Sequence, residues 1–462
     1  MGGCMPMTEA KPFFLEASQE AAGTASCVCE PAYGHPQWTG KTTGGLSLRA
    51  NFSWTFVGNV LYAATQWGLL ILLTKLFEPE LFGQYALALS IITPISTASA
   101  LQLRAVQVSA VKDESSFADY MLLRLVTNLL ALLFLVLLAA LGFIPQHLFP
   151  LTLLLGCSQA VLLVKDVYQG VMQKRERMDF VSISLILQGG ASLVAAIAVA
   201  FWTHNMLLVV LGMLVARLLA LFIYDVPRTW ALVADFEPLL SLPMIRRASS
   251  PQRLFSLARM AFPLGIVTLL LSLYSNIPRY FLADFGEAAV GFFAAVASLM
   301  SLQEWVISAL GQSAARRLAL YHATDMNGYV RLLERLIAIG VVVGTVWVVM
   351  AVAFGRPLLT LFFRPEYARF VDVFVWLMVA RLVLNAQSFM GYGMTAARLF
   401  SVQVWIVGLM LVSLFVSAWL LIPTWAGLGA AWAMLISACL SLVATSIVMI
   451  KKLGSRETAS HG

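Results

Sequence analysis

The chain has 462 residues, 60% of them apolar and only 11% Asp, Glu, Lys or Arg, with a formal net charge of +7. An ordinary soluble domain carries about 25% charged residues, so this composition excludes a soluble globular fold and indicates a chain solvated by lipid. The positive excess lies mainly between apolar runs, where it serves topology and contact with anionic lipid, and it lends no support to nucleic-acid binding.

Residues 1–47 are rich in Gly, Ser, Thr, Ala and Pro and hold no apolar run of signal-peptide length, so a disordered cytoplasmic tail is expected there. Met1-Gly2-Gly3-Cys4 superficially suggests lipidation, but Pro6 stands where a myristoylation site has Ser or Thr. Cys4, Cys27 and Cys29 lie in this tail, while Cys157 and Cys439 lie within apolar segments. Neither group has the compartment for disulfides or the spacing for zinc, so no metal or cofactor is expected.

Twelve apolar segments follow, at about 54–75, 82–103, 120–143, 148–170, 180–202, 206–226, 260–283, 289–311, 333–354, 369–392, 400–422 and 428–450. Each approaches the roughly 20 residues that a helix needs to cross a bilayer. The short alternating strands of a membrane barrel are absent from the pattern, so the fold class predicted is an all-α integral membrane protein. Between segments six and seven, residues 227–258 carry Arg228, Arg246, Arg247 and Arg253 around the apolar run 238–242, with Arg259 just beyond. This reads as a basic cytoplasmic linker lying on an anionic membrane surface. It separates an N-lobe, 48–226, from a C-lobe, 259–452, and leaves 453–462 as a short cytoplasmic tail.

Counting residues at helix ends with the adjoining loop, the two tails and the even-numbered loops hold 21 of the 30 Lys and Arg, and the odd-numbered loops hold 5. Basic residues favour the cytoplasmic side, so both termini of a multi-pass membrane protein are expected in the cytoplasm. The halves also echo each other. Gly170 and Arg177 recur as Gly391 and Arg398, each 221 positions on, and Gly83-Gln84-Tyr85-Ala86 parallels Gly291-Phe292-Phe293-Ala294. Six helices per half keep both halves in one orientation, so a parallel repeat is expected.

Polar residues inside a bilayer normally face protein or water. Asn51, Thr55, Asn59, Tyr62 and Gln66 fall on one face of the first helix. Ser272, Ser275, Asn276 and Arg279 mark the seventh helix, Ser301, Glu304, Ser308 and Gln312 the eighth, and Arg381, Asn385, Ser388 and Tyr392 the tenth. The fourth carries Gln159, Asp166, Gln169 and Gln173, with Lys165 beside the carboxylate. Neutral groups of this kind more often join helices than bind ligands, whereas buried charge points to a pathway. Arg124 and Arg217 also have a rival explanation, since both lie near helix ends from which a long side chain can snorkel. Lys165 and Asp166 point about 100° apart on a helix and need not pair with each other.

Stripes on corresponding helices imply a hydrated cavity between the lobes, and its charge is mainly cationic. Arg49, Arg124, Lys165, Arg217, Arg279 and Arg381, with Asn276 and Asn385, are the candidates for binding an anionic substrate, because the guanidinium fork matches phosphate oxygens. Asp166 and Glu304 are the candidates for ion or proton coupling. Every odd-numbered loop is short, which leaves no external loop for an active site; a non-enzyme is expected.

Arg49-Ala50-Asn51-Phe52-Ser53-Trp54 with Gly58, then Lys75-Leu76-Phe77-Glu78-Pro79-Glu80-Leu81-Phe82-Gly83-Gln84-Tyr85-Ala86, with Pro94 and Leu103-Arg104, resemble the start of bacterial polysaccharide transporters. Asn276-Ile277-Pro278-Arg279-Tyr280-Phe281-Leu282, Gly286 and Gly291-Phe292-Phe293-Ala294-Ala295 resemble the seventh and eighth helices of that family. Ala426-Gly427-Leu428-Gly429-Ala430-Ala431-Trp432 resembles the entry to its last helix. The resemblance spans about 48–450. It implies the two-lobed fold of the multidrug, oligosaccharidyl-lipid and polysaccharide exporter superfamily. It further implies a flippase moving polyprenyl-diphosphate-linked oligosaccharide across the inner membrane for exopolysaccharide, O-antigen or capsule assembly. Membrane lipids would be its surroundings, and a polysaccharide polymerase and a chain-length regulator its prospective partners. The alternatives are a multidrug exporter of the same superfamily, a membrane-bound polymerase or ligase, and a structural scaffold of a secretion complex.

Overall fold

The computed structural model describes residues 46–109, 116–232 and 251–460. The tail expected over 1–47 falls almost entirely outside these residues, as do Arg246, Arg247 and the run 238–242. Among the described residues there are helices and no strands. We number them α1 (Leu48–Leu76), α2 (Pro79–Ala100), α3 (Leu103–Ser109), α4 (Phe117–Ala140), α5 (Phe149–Lys174), α6 (Met178–Thr203) and α7 (Met206–Ala220). A π-turn, Leu221–Asp225, leads into α8 (Val226–Leu232). Then come α9 (Pro251–Leu282), α10 (Glu287–Ser298), α11 (Met300–Thr324), α12 (Met326–Phe362), α13 (Val371–Ala396) and α14 (Phe400–Ser460). Among the described residues, ten helical stretches are long and apolar enough to cross a membrane.

Local chemistry sets the boundaries. Ser116 and Asp119 form a reciprocal capping box at α4, while Asn205 and Asp325 accept backbone N–H groups at the starts of α7 and α12. Leu101 and Gln102 take left-handed φ values of 48° and 52°, which breaks the second apolar segment into α2 and α3. The eighth segment likewise divides at Leu299 into α10 and α11. Segments eleven and twelve both lie in α14, interrupted where Ala426 adopts φ 44°, ψ −120°, three residues after Pro423. In α12 a non-helical Phe354 precedes Pro357, whose ring displaces the carbonyl four residues back.

The span 227–258, expected as a linker, is described only at its two ends, 227–232 and 251–258. Helix enters that span from both sides, α8 reaching Leu232 and α9 starting at Pro251. Leu254, Leu257, Ala258 and Ala261 recur at helical spacing and pack against Leu103, Val106 and Val167 of the N-terminal half. Leu254, Leu257 and Ala258, within the expected linker, thus belong to the first turns of α9. At the other end, α14 runs on to Ser460 through the stretch read as a tail.

The two halves share a large apolar core at one end. Leu73, Phe77, Phe82 and Leu148 belong to the same buried cluster as Leu282, Phe293, Phe363 and Phe374. Here α2 crosses α10 with no side chains between them: a Cβ on Gly291 would stand 3.0 Å from the Gly83 nitrogen, and one on Gly83 would collide with the Glu287 carbonyl. Polar contacts reinforce the crossing. Gln84 donates to Glu287 at 2.7 Å, His147 Nε2 lies 2.6 Å from the same carboxylate, and Lys75 Nζ donates to the Leu361 carbonyl at 2.7 Å. Tyr367 is fully buried, stacked edge-on against Phe292, and burial pushes its phenol pKa up. At the opposite end the cores separate. One gathers Met121, Val167 and Tyr168 with Leu257 and Ala261; the other gathers Ile307, Leu318, Leu333 and Phe389.

Candidate charged clusters inside the helical bundle

In the N-terminal half, the break between α2 and α3 explains why a charged residue is tolerated nearby. The last carbonyls of α2 have no helical partners, and Arg124 Nη1 donates to those of Ser99 and Ala100 at 3.2 and 2.9 Å. Arg124 is fully buried, and its Nη2 stands 3.6 Å from Asp166 Oδ2. From the other side Arg104 approaches Asp166 Oδ1 at 3.4 Å, while donating to Gln169 and Gln173 at 2.9 Å each. One carboxylate therefore serves two guanidiniums, leaving the cluster net positive. Asp166 and Arg104 are both about a quarter exposed, so this cluster reaches the surface of the half.

Lys165 points elsewhere, as the helical offset from Asp166 requires. Its Nζ donates to the Ser184 carbonyl at 3.0 Å and lies 3.4 Å from Asp225 Oδ2, with the two side chains 2% and 0% exposed. The Ser184 hydroxyl donates to Asp225 Oδ1 at 2.5 Å and accepts from Gln169 at 2.9 Å. Lys165, expected as a substrate contact, is thus placed beside a fully buried carboxylate within the same half. Asp225 is held inward by the π-turn, the kind of helical defect that recurs at functional sites.

Arg217 is 6% exposed and donates to Ser158 Oγ at 2.6 Å. Snorkelling is excluded for Arg124, whose head does not reach the surface. Arg49 is exposed at the first turn of α1 and takes no part in these clusters.

In the C-terminal half, Arg381 lies 8% exposed on α13 with its Nη1 3.6 Å from Glu304 Oε2. The Glu304 side chain is 61% exposed on α11, so this pair, like Arg104–Asp166, faces outward from its half. Asn385 is buried and donates to Gln303 at 3.0 Å, and Gln303 in turn donates to the Met378 sulfur at 3.1 Å. That is helix-to-helix bonding. Asn276 donates to the Ser272 carbonyl and accepts from Arg279 Nη1 at 3.1 Å, a pairing within α9 that consumes both side chains in part.

Sequence reasoning missed Arg104 and Asp225 as site residues. Arg104 lay just past the second apolar segment, and Asp225 at the end of the sixth beside Val226-Pro227, so both resembled loop charges. Their signal was the register: Arg104 stands about one helical turn before buried Gln107, and Asp225 follows buried Leu221 by a similar step.

A family model described as "Polysaccharide biosynthesis protein" matches residues 48–316. The chain is 26% identical over 397 residues to the capsular polysaccharide biosynthesis protein CapF of Staphylococcus aureus, covering 85% of this chain and 97% of that protein. Among solved structures it superimposes on the lipid II flippase MurJ in an inward closed conformation, with a TM-score of 0.67 and 10% identity over 88% of this chain and 89% of that one. An inward-facing multidrug resistance transporter of the MATE family gives 0.60 and 14% identity over 90% and 97%. A point mutant of the Vibrio cholerae MATE transporter VcmN gives 0.56 and 17% over 88% and 98%. At these identities the structures establish the fold alone.

Proposed function

We propose that this chain, which belongs to the polysaccharide biosynthesis protein family, is a flippase that moves a polyprenyl-diphosphate-linked oligosaccharide across the bacterial inner membrane. The observation that carries the reading is the guanidinium excess at the cluster within membrane-spanning helices where Arg104 and Arg124 share one Asp166, with Arg381 paired one-to-one with Glu304 in the other half. A diphosphate entering a low-dielectric region needs such donors in fixed forks. An organic cation, the substrate of the multidrug reading, would meet net repulsion there.

On this reading the present state is closed at the end where Gly83, Gln84 and His147 meet Gly291 and Glu287. The skew of basic residues supports a periplasmic side for that end, with substrate entering from the opposite one. Rocking of the halves then exposes the clusters to the periplasm. Arg104, Arg124 and Arg381 contact the diphosphate or acidic sugars, with Arg49 and Arg279 as outlying attractors. Asp166 and Glu304 hold the guanidiniums in the empty state and are displaced by substrate, or exchange an ion as they are released. A polymerase and a chain-length regulator would take the product onward.

The test is Arg381→Ala in a strain dependent on this gene for polymer export. Export should be lost while the protein remains at normal abundance in the membrane, and Arg381→Lys should restore part of it, because charge survives and the fork does not. Full export by Arg381→Ala at normal abundance rejects the assignment.

A further inference from the structure

Three hydrogen bonds join Arg104 to the buried Asp225, and all three run the same way. Arg104 Nη1 donates to Gln169 Oε1 at 2.9 Å, Gln169 Nε2 donates to Ser184 Oγ at 2.9 Å, and the Ser184 hydroxyl donates to Asp225 Oδ1 at 2.5 Å. The chain of bonds links α3, α5, α6 and the π-turn. One end of it is accessible and the rest is not: the Arg104 side chain is 26% exposed, while Gln169 and Ser184 are buried and Asp225 is fully enclosed.

The two ends dictate that direction. A guanidinium can only donate and an ionised carboxylate can only accept, whereas the amide and the hydroxyl between them can do either. Lys165 Nζ, 3.4 Å from Asp225 Oδ2, balances the carboxylate's charge, and it donates to the Ser184 carbonyl at 3.0 Å, which fixes the backbone that carries the hydroxyl. Ser184 has one hydroxyl hydrogen and gives it to Asp225, so toward Gln169 it can only accept. Gln169 must then turn its NH2 inward and its carbonyl oxygen toward Arg104. Reversed, the amide would set its own donors against a guanidinium. Arg104 has two other acceptors, Gln173 at 2.9 Å and Asp166 at 3.4 Å, but Gln169 is the buried one of the three. Gly170 beside it lets α3 approach, since a Cβ there would collide with the Gln107 side chain, about one turn past Arg104.

We infer that Gln169 is a positioning residue for substrate recognition: the Lys165–Asp225 pair, acting through Ser184, orients its amide so that Arg104 stays aimed when a substrate anion displaces Asp166. The inference rests on the flippase reading, in which Arg104 meets the diphosphate. Without the Ser184 hydroxyl, Arg104 keeps its charge and its place on α3, but the Gln169 amide is free to turn over. The guanidinium fork is then no longer held ready, and ordering it on binding costs affinity. A buried ion pair that never touches substrate thus acts on it at a distance of three hydrogen bonds.

The experiment has two arms. In the first, the purified full-length protein is melted in nanodiscs without substrate. Among the described residues Arg104 and Ser184 share no hydrogen bond, so as independent sites their effects would add. The chain of bonds predicts instead that the double variant Arg104→Ala with Ser184→Ala loses less melting temperature than the two single losses together. Additive losses overturn the chain. In the second arm, translocation of a polyprenyl-diphosphate-linked oligosaccharide is followed in vesicles. Gln169→Leu and Ser184→Ala should each raise KM by roughly tenfold and lower kcat much less. Ser184→Thr, which keeps the hydroxyl, should bring KM back close to that of the unaltered protein. An unchanged KM in Gln169→Leu overturns the positioning role, and so does a KM raised as much by Ser184→Thr as by Ser184→Ala. Should Ser184→Ala fail to fold, the KM of Gln169→Leu decides alone. No translocation by the unaltered protein overturns the flippase reading instead, and the melting arm still decides whether the chain couples its ends.

Discussion

Asp225 shows what a single side chain does in hydrocarbon. Its carboxylate is fully enclosed, yet it holds Lys165 at 3.4 Å and accepts from Ser184, so neither charge is stranded. Removing one member of a buried pair strands the other, at about 3–5 kcal/mol. Asp225→Asn should therefore lower unfolding stability by that order, and Asp225→Leu combined with Lys165→Met should recover most of it. Unfolding in graded denaturing detergent measures both; equal loss in the single and the double variant would contradict the pairing. Glu304 contrasts with it, because its side chain is 61% exposed. Glu304→Gln should leave thermal stability nearly unchanged and alter transport under an imposed proton gradient; normal gradient-driven transport would remove its coupling role. Residue by residue, the chain disclosed which side chains were costly and not whom they met. Arg124, Arg217 and Arg381 were legible because charge inside an apolar run is conspicuous. The partner of Lys165 was not legible, because Asp225 stands far along the chain, past the end of another helix.

At the scale of helices, the α2–α10 crossing is the feature most open to test. Gly83 and Gly291 are where the halves touch backbone to backbone, and the two opening motifs that echo each other in sequence are the ones that meet there. A side chain at either position must push the helices apart, at a cost on the order of 1–3 kcal/mol. Gly83→Val should weaken closure at this end, seen as slower bifunctional thiol cross-linking between cysteines placed at Gln84 and Glu287. Unchanged cross-linking would mean that the crossing opens without consequence. The break in α14 allows the opposite experiment. Ala426 holds a left-handed φ that glycine adopts without strain, so Ala426→Gly should stabilise the protein by about 1 kcal/mol. Apolar length made most helices legible in the sequence. The break at Ala426 was legible too, since Pro423 and Gly427 flank it and the apolar run stops at 422, whereas Leu101, Gln102 and Leu299 carry no breaker residue. The first turns of α9 were hard to see for a related reason: Leu254 and Leu257 stand beside Arg253 and Arg259 and pack with Leu103 and Val106 across the interface.

For the whole molecule, membership of the polysaccharide biosynthesis family and the superposition on MurJ and MATE transporters agree with the resemblance read from the motifs of α1, α2, α9, α10 and α14. Orientation rests on the skew of basic residues. Reporter fusions after Gly462 and within 227–258 should read cytoplasmic, and one at Gln146 periplasmic; a periplasmic C-terminus would invert the assignment of the closed end. The most direct measurement of the central claim is translocation itself. The purified protein is reconstituted into vesicles loaded with a polyprenyl-diphosphate-linked oligosaccharide, and its appearance in the opposite leaflet is followed with an impermeant sugar-modifying enzyme. The expected result is protein-dependent translocation that Arg381→Ala abolishes and Arg381→Lys partly restores. Translocation no faster than in protein-free vesicles, or equally fast with Arg381→Ala, would contradict a flippase working through these guanidiniums.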